Sequence, residues 1–143
     1  MAPGQWADGI SLACKDSTVT GNVITDATDG GIVIFGATGS TVSGNTIQVY
    51  NRQLLGGINM VDWAPFSGSF SGVTVSGNTI HSAANFIKVG IAMGGMTWGV
   101  DNRTDARTYG GTVTGNTFTS GTYGYFGYAM YVWSSCPFAF TQD

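Results

Sequence analysis

The chain has no glutamate, one histidine, two cysteines and three prolines in 143 residues. Charge of either sign is scarce: eight aspartates face five lysines and arginines, for a net charge of −3. A helical bundle or coiled coil draws on Glu, Lys, Leu and Ala in quantity, so these absences exclude one. Five scattered cations cannot build the basic face that nucleic acid requires, and no nucleic-acid partner is expected. Long apolar runs are missing too. Gly31-Ile-Val-Ile-Phe35 is too short for a membrane span by a factor of about three, so no membrane partner is expected either. Met1-Ala-Pro-Gly4 carries neither a basic nor an apolar segment, so no secretion signal is read there. No phosphate loop, nucleophile elbow or zinc spacing occurs.

What is present is apolar and small. Hydrophobic residues make up 43% and aromatics 13%, enough to exclude disorder, and there are 23 glycines. The length fits one compact domain. Internal repetition dominates. Ser17-Thr-Val-Thr-Gly-Asn-Val-Ile24 returns as Ser40–Ile47, Val73–Ile80 and Gly111–Phe118. A second string alternates with it: Gly9-Ile-Ser-Leu12, Gly31-Ile-Val-Ile34, Gly57-Ile-Asn-Met60, Gly90-Ile-Ala-Met93 and Gly127-Tyr-Ala-Met130. Both have a period of two. Val19, Val42, Val75 and Val113 point one way and the flanking Thr or Ser the other. Both strings therefore predict short half-buried strands.

Asn22, Asn45, Asn78 and Asn116 each follow a Gly at the end of the Thr-Val-Thr/Ser strand. Gly supplies the backbone angles of a tight bend. An inward Asn there can hydrogen-bond its counterpart in the next layer, which predicts an internal Asn ladder. These stacked units resemble a right-handed, single-stranded parallel β-helix of the pectate-lyase-like superfamily. About five coils are expected, in one domain covering residues 1–143: a lead-in at 1–7, coils at 8–133 and a tail or cap at 134–143. The runs Asp8–Cys14, Asp26–Gly36 and Gly56–Trp63 resemble a group of fungal secreted β-helix proteins of no settled activity. That resemblance implies an extracellular protein. Such proteins usually carry a cap before the first coil. Here the first coil begins near Trp6, which implies a fragment or an end covered by a partner. Layers about 4.8 Å apart place Cys14 and Cys136 roughly 19 Å from each other, beyond disulfide reach. Two buried, unpaired thiols are expected.

Loops at 62–72 and 95–110 leave the solenoid at the same corner in successive coils, so they are expected to be neighbours. They hold Asp62, Trp63, Phe66, Phe70, Trp98, Asp101, Arg103, Asp105, Arg107 and Tyr109. Loops on a rigid scaffold are where function concentrates. Indoles match the C–H face of a pyranose, so Trp63 and Trp98, with Tyr109 and Arg107, are the candidate carbohydrate-binding residues. Asp62, Asp101, Asp105 and Arg103 are the candidate catalytic groups, since a carboxylate pair suits glycoside hydrolysis and Asp with Arg suits a lyase. Solvated turns with ordinary salt bridges explain the same residues, and no motif pins the carboxylates. An enzyme is therefore not claimed; a lyase or glycoside hydrolase is the form one would take. No cofactor is expected, and Ca²⁺ is the one metal the Asp residues leave open. The opposite corner holds Asp26, Asp29, Tyr50, Arg52, His81 and Lys88. His81 is one of a column with Thr25, Gln48 and Thr119, which is the pattern of a surface residue rather than a ligand.

The outer column Ser11, Val33, Asn59, Ala92 and Ala129 is small and mostly apolar; a loop or tail covering it is expected, with a partner chain as the alternative. Thr18, Thr20, Thr41, Ser43, Thr74, Ser76, Thr112 and Thr114 form two hydroxyl files that resemble ice-binding solenoids, although β-propensity alone accounts for them. The leading reading is a carbohydrate-directed module acting on an extracellular polysaccharide. The alternatives are a homo-oligomer assembled by end-to-end or face packing, and ice or surface binding through the Thr files.

Overall fold

The computed structural model describes residues 5–94, 107–133 and 139–141. The described chain winds as a parallel β-helix. The first coil carries β1 (Ile10–Leu12), β2 (Thr18–Thr20) and β3 (Val23–Thr25). The second carries β4 (Gly30–Phe35), β5 (Thr41–Ser43) and β6 (Thr46–Val49). The third carries β7 (Leu54–Val61), β8 (Thr74–Ser76) and β9 (Thr79–Ser82). The fourth carries β10 (Phe86–Met93), β11 (Thr112–Thr114) and β12 (Thr117–Ser120), and β13 (Tyr125–Val132) and β14 (Ala139–Thr141) follow. Equivalent strands stack into sheet A (β1-β4-β7-β10-β13), sheet B (β2-β5-β8-β11-β14) and sheet C (β3-β6-β9-β12). Every pairing between these strands is parallel.

The register follows the sequence repeat. Val19, Val42, Val75 and Val113 are successive partners in sheet B. Ile24, Ile47, Ile80 and Phe118 stack in sheet C, and Ile32, Ile58 and Ile91 in sheet A. Their side chains converge on one dry interior that also takes in Ile34, Met60 and Met93. Each fully buried aliphatic contributes roughly 1.5–3 kcal/mol before entropy.

The predicted Asn ladder closes the corner between sheets B and C. The bend glycines Gly21, Gly44, Gly77 and Gly115 all take positive φ, between 57° and 68°. The Asn that follows turns inward. Asn22 Nδ2 donates to Asn45 Oδ1 at 2.9 Å, Asn45 Nδ2 to Asn78 Oδ1 at 2.9 Å, and Asn78 Nδ2 to Asn116 Oδ1 at 2.9 Å. The backbone N–H of Asn22, Asn45 and Asn78 shares the same acceptor one layer on, each at 3.0 Å.

A second column explains the glycines that open the sheet A repeat. A Cβ on Gly31 would stand 2.5 Å from the Gly57 carbonyl and 2.7 Å from Ile47. One on Gly57 would collide with the Gly90 carbonyl and stand 3.0 Å from Ile80. Only glycine fits where sheet A turns in against sheet C.

Three expectations change. In the fifth coil Met130, not Tyr128, pairs with Ile91, and Tyr128 pairs with Val89. The repeat slips by two residues, so Tyr131 rather than Ala129 continues the outer column beside Ala92. A two-residue slip keeps every side chain on its face, so the apolar pattern alone does not detect it. The expected tail or cap contains a strand: Ala139–Thr141 add to sheet B in register with Thr112–Thr114. Cys14 is exposed and free rather than buried, because it sits in the turn after β1. Cys136 lies outside the described residues.

Candidate functional site

The chain enters the first two strands of sheet A through Asp-Gly: Asp8-Gly9 before β1, and Asp29 before Gly30, the first residue of β4. The pairing of Ile10 with Ile32 sets Asp8 beside Gly30. The Asp8 carboxylate settles where Gly30 has no side chain. Gly30 N donates to Asp8 Oδ1 at 3.0 Å, and Ser11 Oγ donates to Asp8 Oδ2 at 2.6 Å. Both oxygens are therefore oriented.

Glycine also makes room for Asn59. A Cβ on Gly56 would collide with the Asn59 amide, and one on Gly30 would stand 2.9 Å from Asn59 Nδ2. Asn59 therefore folds over two glycines on the outer face of sheet A and is 0% exposed. Its neighbours in the outer column, Val33 and Ala92, are equally buried. The middle of the outer column is therefore covered, while Ser11 and Ala129 at its expected ends are exposed.

The loop after β7 forms one side. Its Phe66 ring lies 5.3 Å from that of Phe35, the last residue of β4. Phe70 is fully buried in the main core, so it anchors the loop and is not available to a ligand. Trp63 stays 62% exposed. The end of the second loop lies alongside: Ser69 and Tyr109 form a parallel bridge, with Phe70 N donating to Tyr109 O at 2.9 Å and Tyr109 N to Gly68 O at 3.0 Å. Thr108 is buried and donates to the Trp133 carbonyl. The described part of the second loop is thus a neighbour of the first.

Between these parts lies a cleft of about 360 Å³, lined among the described residues by Asp8, Asp29, Phe35 and Trp63. The two carboxylates stand where the strands of sheet A begin. The two aromatics stand where they end. Strand β4 puts roughly 17–20 Å between those ends. The cleft can therefore offer a flat apolar face at one end and fixed hydrogen-bond acceptors at the other.

Of the residues singled out in the sequence, Trp63 lines this cleft. Asp62 is half-buried at the foot of its loop, while Arg107 and Tyr109 are exposed on the neighbouring strip. Trp98, Asp101, Arg103 and Asp105 lie outside the described residues. Asn22, Asn45, Asn78 and Asn116 form the ladder, away from the cleft. The placement of Asp29 at the opposite corner from the loops needs correction: it opens into the same cleft as Trp63. A strand of sheet A connects the two corners, with Asp29 just before β4 and Phe35 at its end. Asp8 and Phe35 were missed. The available signal was the repeated Asp-Gly before the Ile of sheet A. His81 keeps its column, pairing with Gln48 and Thr119, and its Nδ1 lies 2.8 Å from Thr119 Oγ1.

Asp26 does a different job at the next corner. Its Oδ1 accepts from Tyr50 N at 2.7 Å and Asn51 N at 3.0 Å, and its Oδ2 from Asn51 Nδ2 at 2.9 Å. Partial burial pushes the carboxyl pKa up, but these bonds and one from the Arg52 backbone together outweigh it and hold it below the ordinary value.

No curated protein and no solved structure matches the chain. The family comparison matches residues 5–142 to the right-handed β-helix region. With three parallel sheets, an interior Asn ladder and a match over nearly its whole length, the chain belongs to the right-handed β-helix family.

Proposed function

We propose that this protein is a carbohydrate-binding β-helix whose ligand lies in the cleft on the outer face of sheet A. The observation that carries the reading is one 360 Å³ cleft lined by an exposed indole, a second aromatic ring and two half-buried carboxylates. The Trp63 face matches the C–H side of a pyranose. Asp8 is an acceptor for sugar hydroxyls, already oriented by Gly30 N and Ser11 Oγ, and Asp29 adds a second carboxylate to the lining. Charge-assisted hydrogen bonds of this kind are stronger than neutral ones. The walls belong to a scaffold whose register is set by the repeat, so little ordering is needed on binding. Family membership is compatible with this role, and the site rather than the fold carries the argument.

The test is retention on a panel of insoluble and soluble polysaccharides, followed by titration with the oligosaccharides of any that bind. Trp63→Ala should abolish retention while leaving the unfolding free energy within about 0.5 kcal/mol of the parent, as expected of an exposed side chain. Undiminished binding by Trp63→Ala would refute the reading. Shortened polysaccharide chains would add catalysis to it.

A further inference from the structure

A second cleft lies behind the first. It has a volume of about 250 Å³ and is lined by Gln5, Trp6, Thr28, Asn51, Arg52 and Gln53. The two clefts meet at a ridge where residues 5–8 run beside residues 28–29. Trp6 and Thr28 line one cleft, and Asp8 and Asp29 the other. The ridge is firmly built. Ala7 N donates to Thr28 Oγ1 at 3.0 Å, Thr28 Oγ1 donates to Gln5 O at 3.1 Å, and Thr28 N donates to Ala7 O at 3.1 Å. Thr28 is itself buried. The facing turn is built as firmly, because Asp26 holds Tyr50 N, Asn51 N and the Asn51 amide. Between two rigid sides Trp6 is 64% exposed.

We infer that this corner cleft is a second saccharide subsite, and that the ligand crossing both clefts is a neutral glycan. The inference rests on the carbohydrate reading above. Trp6 and Trp63 then stand as stacking faces at the two ends of one binding track, with Asp8 and Asp29 between them. The lining of the corner cleft suits hydroxyls. Side-chain amides both donate and accept, as sugar hydroxyls do, and the Arg52 fork adds donors. The charge selects against acidic sugars. Among the described lining residues two carboxylates, Asp8 and Asp29, outnumber one guanidinium, Arg52, and the whole chain carries −3. A polyanion would meet like charge along the track, and like-charge juxtaposition disfavours binding.

The experiment is calorimetric titration of the protein with cello-, xylo- and laminari-oligosaccharides of increasing length, and with oligogalacturonates at low and moderate salt. The neutral series that binds should gain affinity with length. Trp6→Ala should weaken the longest member about tenfold and leave the shortest unchanged. Trp6→Phe, which keeps a ring, should restore most of that loss. Trp63→Ala should abolish binding at every length. If Trp63→Ala abolishes binding and Trp6→Ala changes nothing at any length, the corner subsite is overturned and the first cleft stands. If Trp6→Ala weakens all lengths alike, Trp6 belongs to the first site and the second subsite is overturned. Oligogalacturonates binding more tightly than every neutral series would overturn the neutral-glycan assignment alone. Failure of every oligosaccharide to bind would remove the carbohydrate reading, and this inference with it.

Discussion

Replacing Asn45 by alanine tests the ladder directly. Asn45 is 1% exposed and sits in the second of four rungs. Its side chain accepts from Asn22 N and Asn22 Nδ2, and its Nδ2 is shared among Val19 O, Ser43 O and Asn78 Oδ1. Asn22 N–H and one Asn22 Nδ2 proton therefore lose their acceptor, and the oxygens of Val19, Ser43 and Asn78 lose the two Nδ2 protons they share. At about 0.5–1.5 kcal/mol for each bond, the loss spans about 2–6 kcal/mol. Asn22 is half-buried, so water can reach part of its released group. The expected cost is about 3 kcal/mol. Asn22→Ala should cost much less, about 1 kcal/mol, since that side chain makes only the bonds to Thr20 O and Asn45 Oδ1 among the described residues and lies nearer solvent. The assay is equilibrium urea unfolding of both variants and the parent, with equal m-values as the check on two-state behaviour. A cost for Asn45→Ala below about 1 kcal/mol, or equal costs for the two variants, would refute the idea that interior rungs carry more than the edge rung.

Other perturbations follow from the same geometry. Gly57→Ala should cost at least about 3 kcal/mol or prevent folding, because its Cβ would collide with the Gly90 carbonyl, which cannot move without breaking sheet register. Gly77→Ala, at φ 61° with open space around it, should cost only about 1 kcal/mol; comparable losses for the two would remove the steric argument. The Asp26 carboxyl is held below its ordinary pKa of 3.8, so its contribution is full above that value and is lost as pH falls through the lower folded one. Asp26→Asn keeps a residue that tolerates φ 57° and should flatten the acid limb of the stability curve below about pH 4, read by urea midpoints across pH. An unchanged limb would show that other carboxyls dominate. Cys14 should react with a thiol reagent in the folded protein without shifting the unfolding midpoint, since it is exposed and free. Protection until unfolding would contradict its place in the turn.

Much of the fold is legible in the sequence because the repeat is local and periodic. The period of two assigned Val19, Val42, Val75 and Val113 to the interior, and the Gly-Asn pairs announced both the bend and the ladder. Spacings of 23, 33 and 38 residues between the Asn reappear as the separations across the ladder bonds. The sequence by itself therefore determined the coil, its interior and the stacking of its rungs. Tertiary structure decided the rest. Tyr128 and Met130 both satisfy the apolar pattern, and only pairing with β10 selects which one meets Ile91. Asp8 and Asp29 lie more than fifty and more than thirty residues before Trp63 respectively in the chain, and no local period relates them. They share a cleft because a solenoid brings successive coils to one face, and because Gly30 and Gly56 let Asp8 and Asn59 lie flat on it. Local periodicity encodes which way a side chain points, whereas a cleft depends on which coils are neighbours and on how far each loop reaches across them.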